Sequence, residues 1–129
     1  FLLNTTISYL NNGRYGLPDG MGCQVFSVEA LAKSESQTSE PLDREHVTLH
    51  IKRNPELFPA IYLPALSPYF WPELAVTLDE QDDYVLLKRL IEHFGDDEQL
   101  FGCDQVILFL KSRPEWVEIN SMVIRKGNT

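Results

Sequence analysis

The sequence predicts an α/β fold, because short β-rich segments alternate with amphipathic helical segments along its 129 residues. Three observations carry this prediction: alternating polarity at Thr5–Asn12, an apolar segment at Cys23–Phe26 that runs into a helix, and the compact run Leu74–Leu78, which contains β-branched residues and precedes a further helix. A chain of this length, 43% hydrophobic, has enough apolar surface for one core. We therefore expect a single domain over residues 1–129, with a mixed sheet and flanking helices.

The first part of the chain predicts two strands joined by a loop. Thr5–Asn12 is expected to form a strand, and the following loop, NNGRYGLPDGMG, contains four glycines, including Gly20. Glycine permits positive φ values and a close backbone approach to a ligand, although such loops are usually only connectors. Cys23–Phe26 predicts the second strand. The hydroxyl of Ser27 is then placed to cap a helix over Val28–Ser36.

The middle of the chain predicts a linker, a helix and an irregular segment. Ser34–Pro41 is polar and is expected to be an exposed linker. The apolar spacing in the next segment predicts a helix over Asp43–Arg53, which Pro55 limits. The segment Phe58–Leu74 is crowded with prolines and aromatic residues, so edge strands or an irregular ribbon fit it better than a central strand.

The last part predicts a strand and two helices. Leu74–Leu78 reads as a buried strand that ends at Asp79. A helix is expected over Asp82–Phe94, where acidic residues favour the positive N-terminus and Gly95 ends the helix. Asp104–Lys111 predicts another helix. Ligands in α/β proteins bind beyond the carboxyl ends of strands, so the end of the Leu74–Leu78 segment is the place to look for a site.

Charge and apolar patterning narrow the classes of partner. The formal net charge is −8, from 19 acidic and 11 basic residues, so we expect neither a nucleic acid nor an anionic membrane as a partner. No apolar run approaches the roughly 20 residues that cross a bilayer, and we expect a cytoplasmic protein. Cys23 and Cys103 are expected to be reduced, buried thiols. The start at Phe1 suggests a piece of a longer protein.

Asp79 is the candidate metal ligand. A carboxylate where a strand ends suits Mg²⁺, which takes one or two protein carboxylates and completes its shell with water and substrate oxygens. The alternative is that Asp79 caps the helix that begins near Gln81. Pattern alone leaves both interpretations open.

Arg44 and His46 are candidate substrate contacts. Arg44 can form a bidentate pair with a carboxylate, and His46 can donate to a sugar hydroxyl. The alternative is that both make surface or intramolecular ion pairs, as such residues commonly do. The sequence contains no phosphate-binding glycine loop, nucleophile elbow or HExxH pair.

Three segments carry a resemblance to a known family. Pro18–Phe26, PDGMGCQVF, is similar to a P-x-G-L-D-x-E-x-F segment. Arg44–Thr48, REHVT, is similar to an R-E-H-V-T-P-Y-I helix, and Thr77–Asp83, TLDEQDD, is similar to T-V-D-T-P-E-D. Over most of its length the chain thus resembles the C-terminal half of the cytidylyltransferases called spore coat polysaccharide biosynthesis protein F.

The resemblance implies a nucleotide-diphospho-sugar transferase (Rossmann-like) fold, of which this chain would be the C-terminal portion. It implies a full-length nucleotidyltransferase that joins CMP from CTP to a sugar with Mg²⁺ for polysaccharide or glycan biosynthesis, and that can form a homodimer. In that family the chain alone would be inactive. Asp79 would then hold the metal, Gly20 would lie in the binding loop, and Arg44 and His46 would be on the sugar side.

The sequence departs from the family pattern at positions that bear on activity. Gly22 and Gln24 stand where the family has Asp and Glu, and Ala75 stands where relatives often have Arg. Losing these charges would weaken metal or sugar contacts, or indicate a different sugar. A noncatalytic interaction module or a degenerate relative of the family is therefore the alternative interpretation.

Overall fold

A computed structural model describes residues 6–13, 15–95 and 100–125. The chain divides into two compact units: unit 1 is Phe1–Tyr15 with Gly22–Pro64, and unit 2 is Gly16–Met21 with Ala65–Thr129. Among the described residues, no helix is both long enough and apolar enough to cross a membrane. The single domain predicted over residues 1–129 stays a prediction.

In the described part of unit 1, three strands form a small mixed sheet: β1 (Tyr9–Asn11), β2 (Gln24–Phe26) and β3 (Ala60–Tyr62). Their order is β2-β1-β3, with β1 antiparallel to β2 and parallel to β3. The described sheet confirms the α/β class and the mixed character that the sequence predicts. Strand β1 is shorter than the predicted Thr5–Asn12, and Thr5 lies outside the described residues.

Three helices flank this sheet: α1 (Val28–Gln37), α2 (Pro41–Glu45) and α3 (Leu49–Arg53). The predicted cap of α1 is confirmed, because Ser27 Oγ accepts from the backbone N–H of Ala30 at 3.0 Å. Helix α1 runs beyond the predicted end, so the Ser34–Pro41 linker shortens to residues 38–40. The core of unit 1 is formed by buried residues of β1, α1, α3 and the segment before β3: Tyr9, Ala30, Ile51 and Phe58.

The continuous helix predicted over Asp43–Arg53 is wrong. The backbone leaves the helical conformation at His46, with φ −105° and ψ 81°, and resumes at Leu49. Val47 and Thr48 are β-branched, which lowers their helix propensity. The break lets α3 bury Leu49, which is 2% exposed, while α2 buries none of its residues.

Unit 2 is mainly helical. It contains α4 (Gln81–Phe94), α5 (Cys103–Lys111) and α6 (Pro114–Val117), with 3₁₀ turns at Ser67–Tyr69 and Glu118–Asn120. Helices α4 and α5 confirm the two predicted C-terminal helices, and α4 ends with Gly95 as its C-cap. Their apolar faces meet in the core of the unit, which consists of Leu74, Leu86, Leu90, Val106 and Leu110.

The strand predicted over Leu74–Leu78 is wrong, because the segment makes one bridge instead of a ladder. Ala75 pairs in parallel with Asp19, through Asp19 N–H to Leu74 O at 2.9 Å and Val76 N–H to Asp19 O at 2.8 Å. Pro18, before Asp19, has no N–H to donate to a ladder. After Asp19, the backbone at Gly20 adopts φ +92° and leaves the extended conformation. Without a partner strand, the β-branched residues do not extend the pairing.

The two cysteines are also placed differently from the prediction. Both Cys23 and Cys103 are free thiols, as expected, but both are exposed instead of buried. Cys23 precedes the edge strand β2, and Cys103 begins α5 on its exposed first turn. Neither position faces the core of its unit.

Candidate functional site

The candidate site lies in unit 2, at the N-terminus of α4. The segment that precedes this helix emerges from the core: Leu74 is 1% exposed, whereas Leu78 is 63% exposed. The side chain of Asp79 follows and is 67% exposed. Asp79 therefore does not end a strand, but its carboxylate reaches solvent just before the helix begins.

Asp83 holds this segment in place. Its side chain is 0% exposed, and its Oδ2 accepts from the backbone N–H groups of Asp79 at 3.2 Å and Glu80 at 3.0 Å. Asp83 is the third residue of α4, so its carboxylate reaches back over the helix N-terminus and satisfies N–H groups that the helix leaves unpaired. The backbone of Asp79 is fixed while its side chain stays exposed.

Two side chains from the end of the chain complete the environment of Asp83. Asn120 Nδ2 donates to Asp83 Oδ1 at 2.7 Å and to Ala75 O at 3.0 Å. Arg125 donates through Nη2 to Asp83 Oδ1 at 2.5 Å and through Nη1 to Asp83 Oδ2 at 3.3 Å. The C-terminal segment is thus tied to the start of α4 by a buried, charge-assisted network.

The contacts between Asp83 and Arg125 shift the pKa values of both side chains. The Arg125 guanidinium, together with Asn120 and the backbone N–H groups of Glu80 and Asp79, holds the pKa of Asp83 well below its usual range despite burial. The hydrogen bonds that Arg125 donates to Asp83 in turn raise the pKa of Arg125, with further contributions from the negative charges of Asp83, Asp19 and Asp79. Asp83 is therefore an anion at neutral pH that is already engaged within the chain.

Arg125 also touches the candidate metal ligand. Its Nη1 lies 3.5 Å from Asp79 Oδ2 and donates to Thr77 Oγ1 at 2.8 Å. The guanidinium is therefore shared, with its shorter contacts to Asp83 and Thr77.

The capping alternative for Asp79 is wrong. Helix α4 begins at Gln81, and its N-cap position is occupied by Glu80. The hydrogen bonds across the helix start go to the side chain of Asp83 instead. The carboxylate of Asp79 is therefore not required to start the helix.

The donor set fits a magnesium ion only in part. Among the described residues, no group of three or more His, Cys, Asp or Glu side chains is placed to hold a metal ion. Asp79 offers one exposed carboxylate, which is sufficient as the protein share of a Mg²⁺ shell that water and substrate oxygens complete. The neighbouring Arg125 opposes a second cation, so such a site depends on anionic substrate oxygens.

Gly20 belongs to the same unit and has a clear conformational reason to be glycine. It adopts φ +92°, and a Cβ at this position would lie 2.7 Å from Val76 O. The loop therefore passes closely over the segment that leads to Asp79. Its role in substrate binding stays a prediction.

Arg44 and His46 lie in unit 1. Arg44 forms an ion pair with Glu35 at 2.9 Å and donates to the carbonyl oxygens of Glu35 and Thr38, at 3.2 and 3.1 Å. It thereby ties α2 to the C-terminal end of α1, which is the structural interpretation that the sequence left open. His46 is exposed at the C-cap of α2. Their roles in sugar binding stay predictions.

Sequence reasoning missed the two residues that organise the site. The sequence predicts only that acidic residues suit the N-terminus of this helix, although the position of Asp83 three residues after Glu80 is typical of a side chain that hydrogen-bonds back to the N-cap backbone. Arg125 has no local signal, because it meets Asp83 across 42 sequence positions. Only the fold brings these two residues together.

Comparisons with known proteins give two relatives. The chain is 33% identical over 129 residues to the uncharacterized protein MJ1063 of Methanocaldococcus jannaschii, covering 98% of this chain and 51% of that protein. It is 29% identical over 99 residues to the spore coat polysaccharide biosynthesis protein SpsF of Bacillus subtilis, covering 76% of this chain and 41% of that protein. The chain spans about half the length of the curated relatives it matches. No family model and no solved structure matches the chain.

Proposed function

We propose that the chain is the C-terminal part of a cytidylyltransferase that transfers CMP from CTP to a sugar for polysaccharide or glycan biosynthesis. Distant similarity to SpsF over three quarters of the chain supports a link to nucleotide-sugar biosynthesis. The structural observation that carries the proposal is the exposed carboxylate of Asp79 on a backbone that Asp83 fixes. The chain alone is proposed to be inactive, with CTP and the sugar binding in the full-length protein.

Asp79 is proposed to hold Mg²⁺ through one carboxylate oxygen. Magnesium, when bound, supplies positive charge against the phosphate oxygens of the nucleotide. The contribution of the chain is to position Asp79: Asp83 anchors its backbone N–H, and Arg125 contacts Oδ2 from one side. A preorganised carboxylate loses little freedom when the metal and substrate arrive.

The remaining roles follow the same proposal. Gly20 lets the loop backbone approach the segment before Asp79, where any side chain would collide with Val76 O. Arg44 and His46 are proposed as sugar contacts of unit 1. For Arg44 this requires release from the Glu35 carboxylate, an exposed ion pair of the kind that contributes about 1 kcal/mol or less, and from the carbonyl oxygens of Glu35 and Thr38.

The proposal is tested by CMP transfer in the full-length protein. Asp79→Asn removes the charge but keeps the shape, so we expect turnover to fall by at least about 100-fold, which corresponds to roughly 2.7 kcal/mol of transition-state stabilisation. Asp82→Asn is the matched control, since Asp82 is an exposed carboxylate three positions along and takes part in no described contact at this site. Turnover of Asp79→Asn close to that of Asp82→Asn would rule out the metal role.

A noncatalytic interaction module is the second candidate. The proline- and aromatic-rich segment exposes two large apolar side chains in unit 2, Leu66 at 69% and Phe70 at 58%. Exposed apolar residues of this size are common at protein interfaces. This function is favoured if the full-length protein has no CTP-dependent activity that Asp79→Asn abolishes.

A further inference from the structure

A polar cluster in unit 1 lies outside the roles proposed so far. The Tyr9 hydroxyl donates to Gln24 Oε1 at 2.9 Å, and Asn11 Nδ2 donates to the same hydroxyl at 2.9 Å. The Thr48 hydroxyl also donates to Gln24 Oε1, at 2.6 Å. These contacts link all three elements that meet here: β1, β2 and the residue before α3.

The cluster occupies a favourable place in the sheet. Asn11 and Tyr62 are the last residues of the parallel strands β1 and β3, and they are paired in register. Gln24 faces Asn11 from the other side, so Gln24, Asn11 and Tyr62 form one row across the sheet. The carboxyl ends of parallel strands are where α/β sheets bind ligands.

The hydrogen bonds leave donors and acceptors for a ligand. Because Gln24 Oε1 accepts from two hydroxyls, its amide orientation is fixed, and within the described part of the chain its Nε2 has no hydrogen-bond partner. Gln24 is exposed. The Thr48 hydroxyl donates its single proton to Gln24 Oε1, and the lone pairs of its oxygen can still accept a hydrogen bond. The pair therefore offers N–H donors and an oxygen acceptor side by side, without net charge.

Two glycines keep the adjoining loop small. Gly13 N–H donates to Asn11 Oδ1 at 2.6 Å, and a Cβ on Gly22 would lie 2.8 Å from Gly13 Cα. The loop backbones thus pass each other at a distance that larger residues forbid. Neither residue places a side chain over this end of the sheet. The Tyr62 ring packs edge-to-face with the Tyr15 ring, with 5.9 Å between the ring centroids, and adds an aromatic group next to the polar row.

We propose that Gln24 and Thr48 form a neutral hydrogen-bonding subsite for a sugar hydroxyl, which accepts from Gln24 Nε2 and donates to Thr48 Oγ1. A hydroxyl is both donor and acceptor, so one group satisfies both sides. The choice of a sugar among hydroxyl ligands rests on the proposed function.

The test is a titration of the ¹⁵N-labelled chain followed by ¹H–¹⁵N NMR, with glucose, galactose, mannose and N-acetylglucosamine as the probes. We expect at least one of these sugars to shift the Gln24 side-chain amide and the Thr48 backbone signal in a saturable way. Gln24→Glu removes the N–H donor and Thr48→Val removes the hydroxyl acceptor, so each leaves the sugar hydroxyl with one hydrogen bond fewer. Each variant should therefore weaken the apparent affinity for the sugar about tenfold. Thr48→Ser keeps the hydroxyl and should bind within about twofold of the parent chain.

The variants are chosen so that misfolding does not imitate the expected result. Gln24→Glu keeps an oxygen for both hydroxyl donors, and unchanged signal dispersion elsewhere reports an intact fold. The subsite is disproved if none of the four sugars gives a saturable shift, or if Gln24→Glu binds as the parent does. No CTP or Mg²⁺ is present, so failure here with an intact Asp79 effect on CMP transfer overturns the subsite alone.

Discussion

Replacing the buried carboxylate of Asp83 is expected to destabilise the chain strongly. Asp83→Asn removes the charge that Arg125 faces at 2.5 Å and puts an amide where a carboxylate oxygen accepted hydrogen bonds. Leaving one member of a buried ion pair unpaired costs about 3–5 kcal/mol. The Arg125 side chain is 23% exposed and keeps Thr77 and Asp79 as partners, so we place the loss near the lower end, at about 3 kcal/mol.

Urea unfolding followed by circular dichroism measures this loss. The control is Asp82→Asn, which removes an exposed carboxylate from the same helix turn and should cost about 1 kcal/mol or less through the helix dipole alone. A difference of about 3 kcal/mol is a large fraction of the stability of a small domain, so the urea concentration at the unfolding midpoint should be clearly lower for Asp83→Asn. If Asp83→Asn is no less stable than Asp82→Asn, the Asp83–Arg125 network does not hold this end of the chain.

The remaining predictions concern pH, the loop and the thiols. Because the folded state lowers the pKa of Asp83, the stability that this group contributes is present above the unfolded-state pKa of about 4 and is lost as the pH falls further. In urea unfolding at a series of acidic pH values, Asp83→Asn should therefore lose less stability with falling pH than the parent chain does. An equal loss of stability with pH in the two proteins would contradict this prediction. Gly20→Ala should cost about 1–3 kcal/mol in the same assay, since φ +92° and Val76 O at 2.7 Å both oppose a Cβ, and a neutral result would show that the loop rearranges freely. Cys23 and Cys103 should both react rapidly with a thiol reagent in the native chain, whereas reaction only after unfolding would mean that they are buried.

The sequence predicts well the elements whose signals are local. Ser27 precedes a helix, and its hydroxyl accepts from the backbone N–H of Ala30, three residues later, as a cap does. The helices at Gln81–Phe94 and Cys103–Lys111 follow from apolar residues at helical spacing. Each of these features is decided within one or two turns, so no distant partner has to be known.

The failures occur where a distant partner decides the outcome. Leu74–Leu78 has the composition of a strand, but a strand needs a neighbour, and the backbone around Asp19 supplies one bridge before Pro18 and Gly20 end it. The REHVT segment begins with helix-forming residues, but its β-branched Val47 and Thr48 disfavour a helix. Helix α3 buries Leu49 and Ile51 while α2 buries none of its residues, so one continuous helix does not form.

In the candidate site, too, local features could be predicted from the sequence and contacts between distant residues could not. The sequence singles out Asp79 as a carboxylate at the end of a predicted strand, and its exposure agrees with a residue that can reach a ligand. The wrong reason was attached to it, because no strand ends there. Asp83 and Arg125, which hold the segment, are joined only by the folded chain, so a single sequence does not reveal the pair.

The claim that Asp79 is a metal carboxylate is tested most directly by Mn²⁺ binding to the full-length protein in the presence of CTP, followed by electron paramagnetic resonance. Mn²⁺ prefers the same oxygen ligands as Mg²⁺ and makes binding visible. We predict that Asp79→Asn weakens Mn²⁺ binding at least about tenfold, or about 1.4 kcal/mol, while Asp82→Asn binds as the parent protein does. Equal Mn²⁺ affinity in all three proteins would contradict the account.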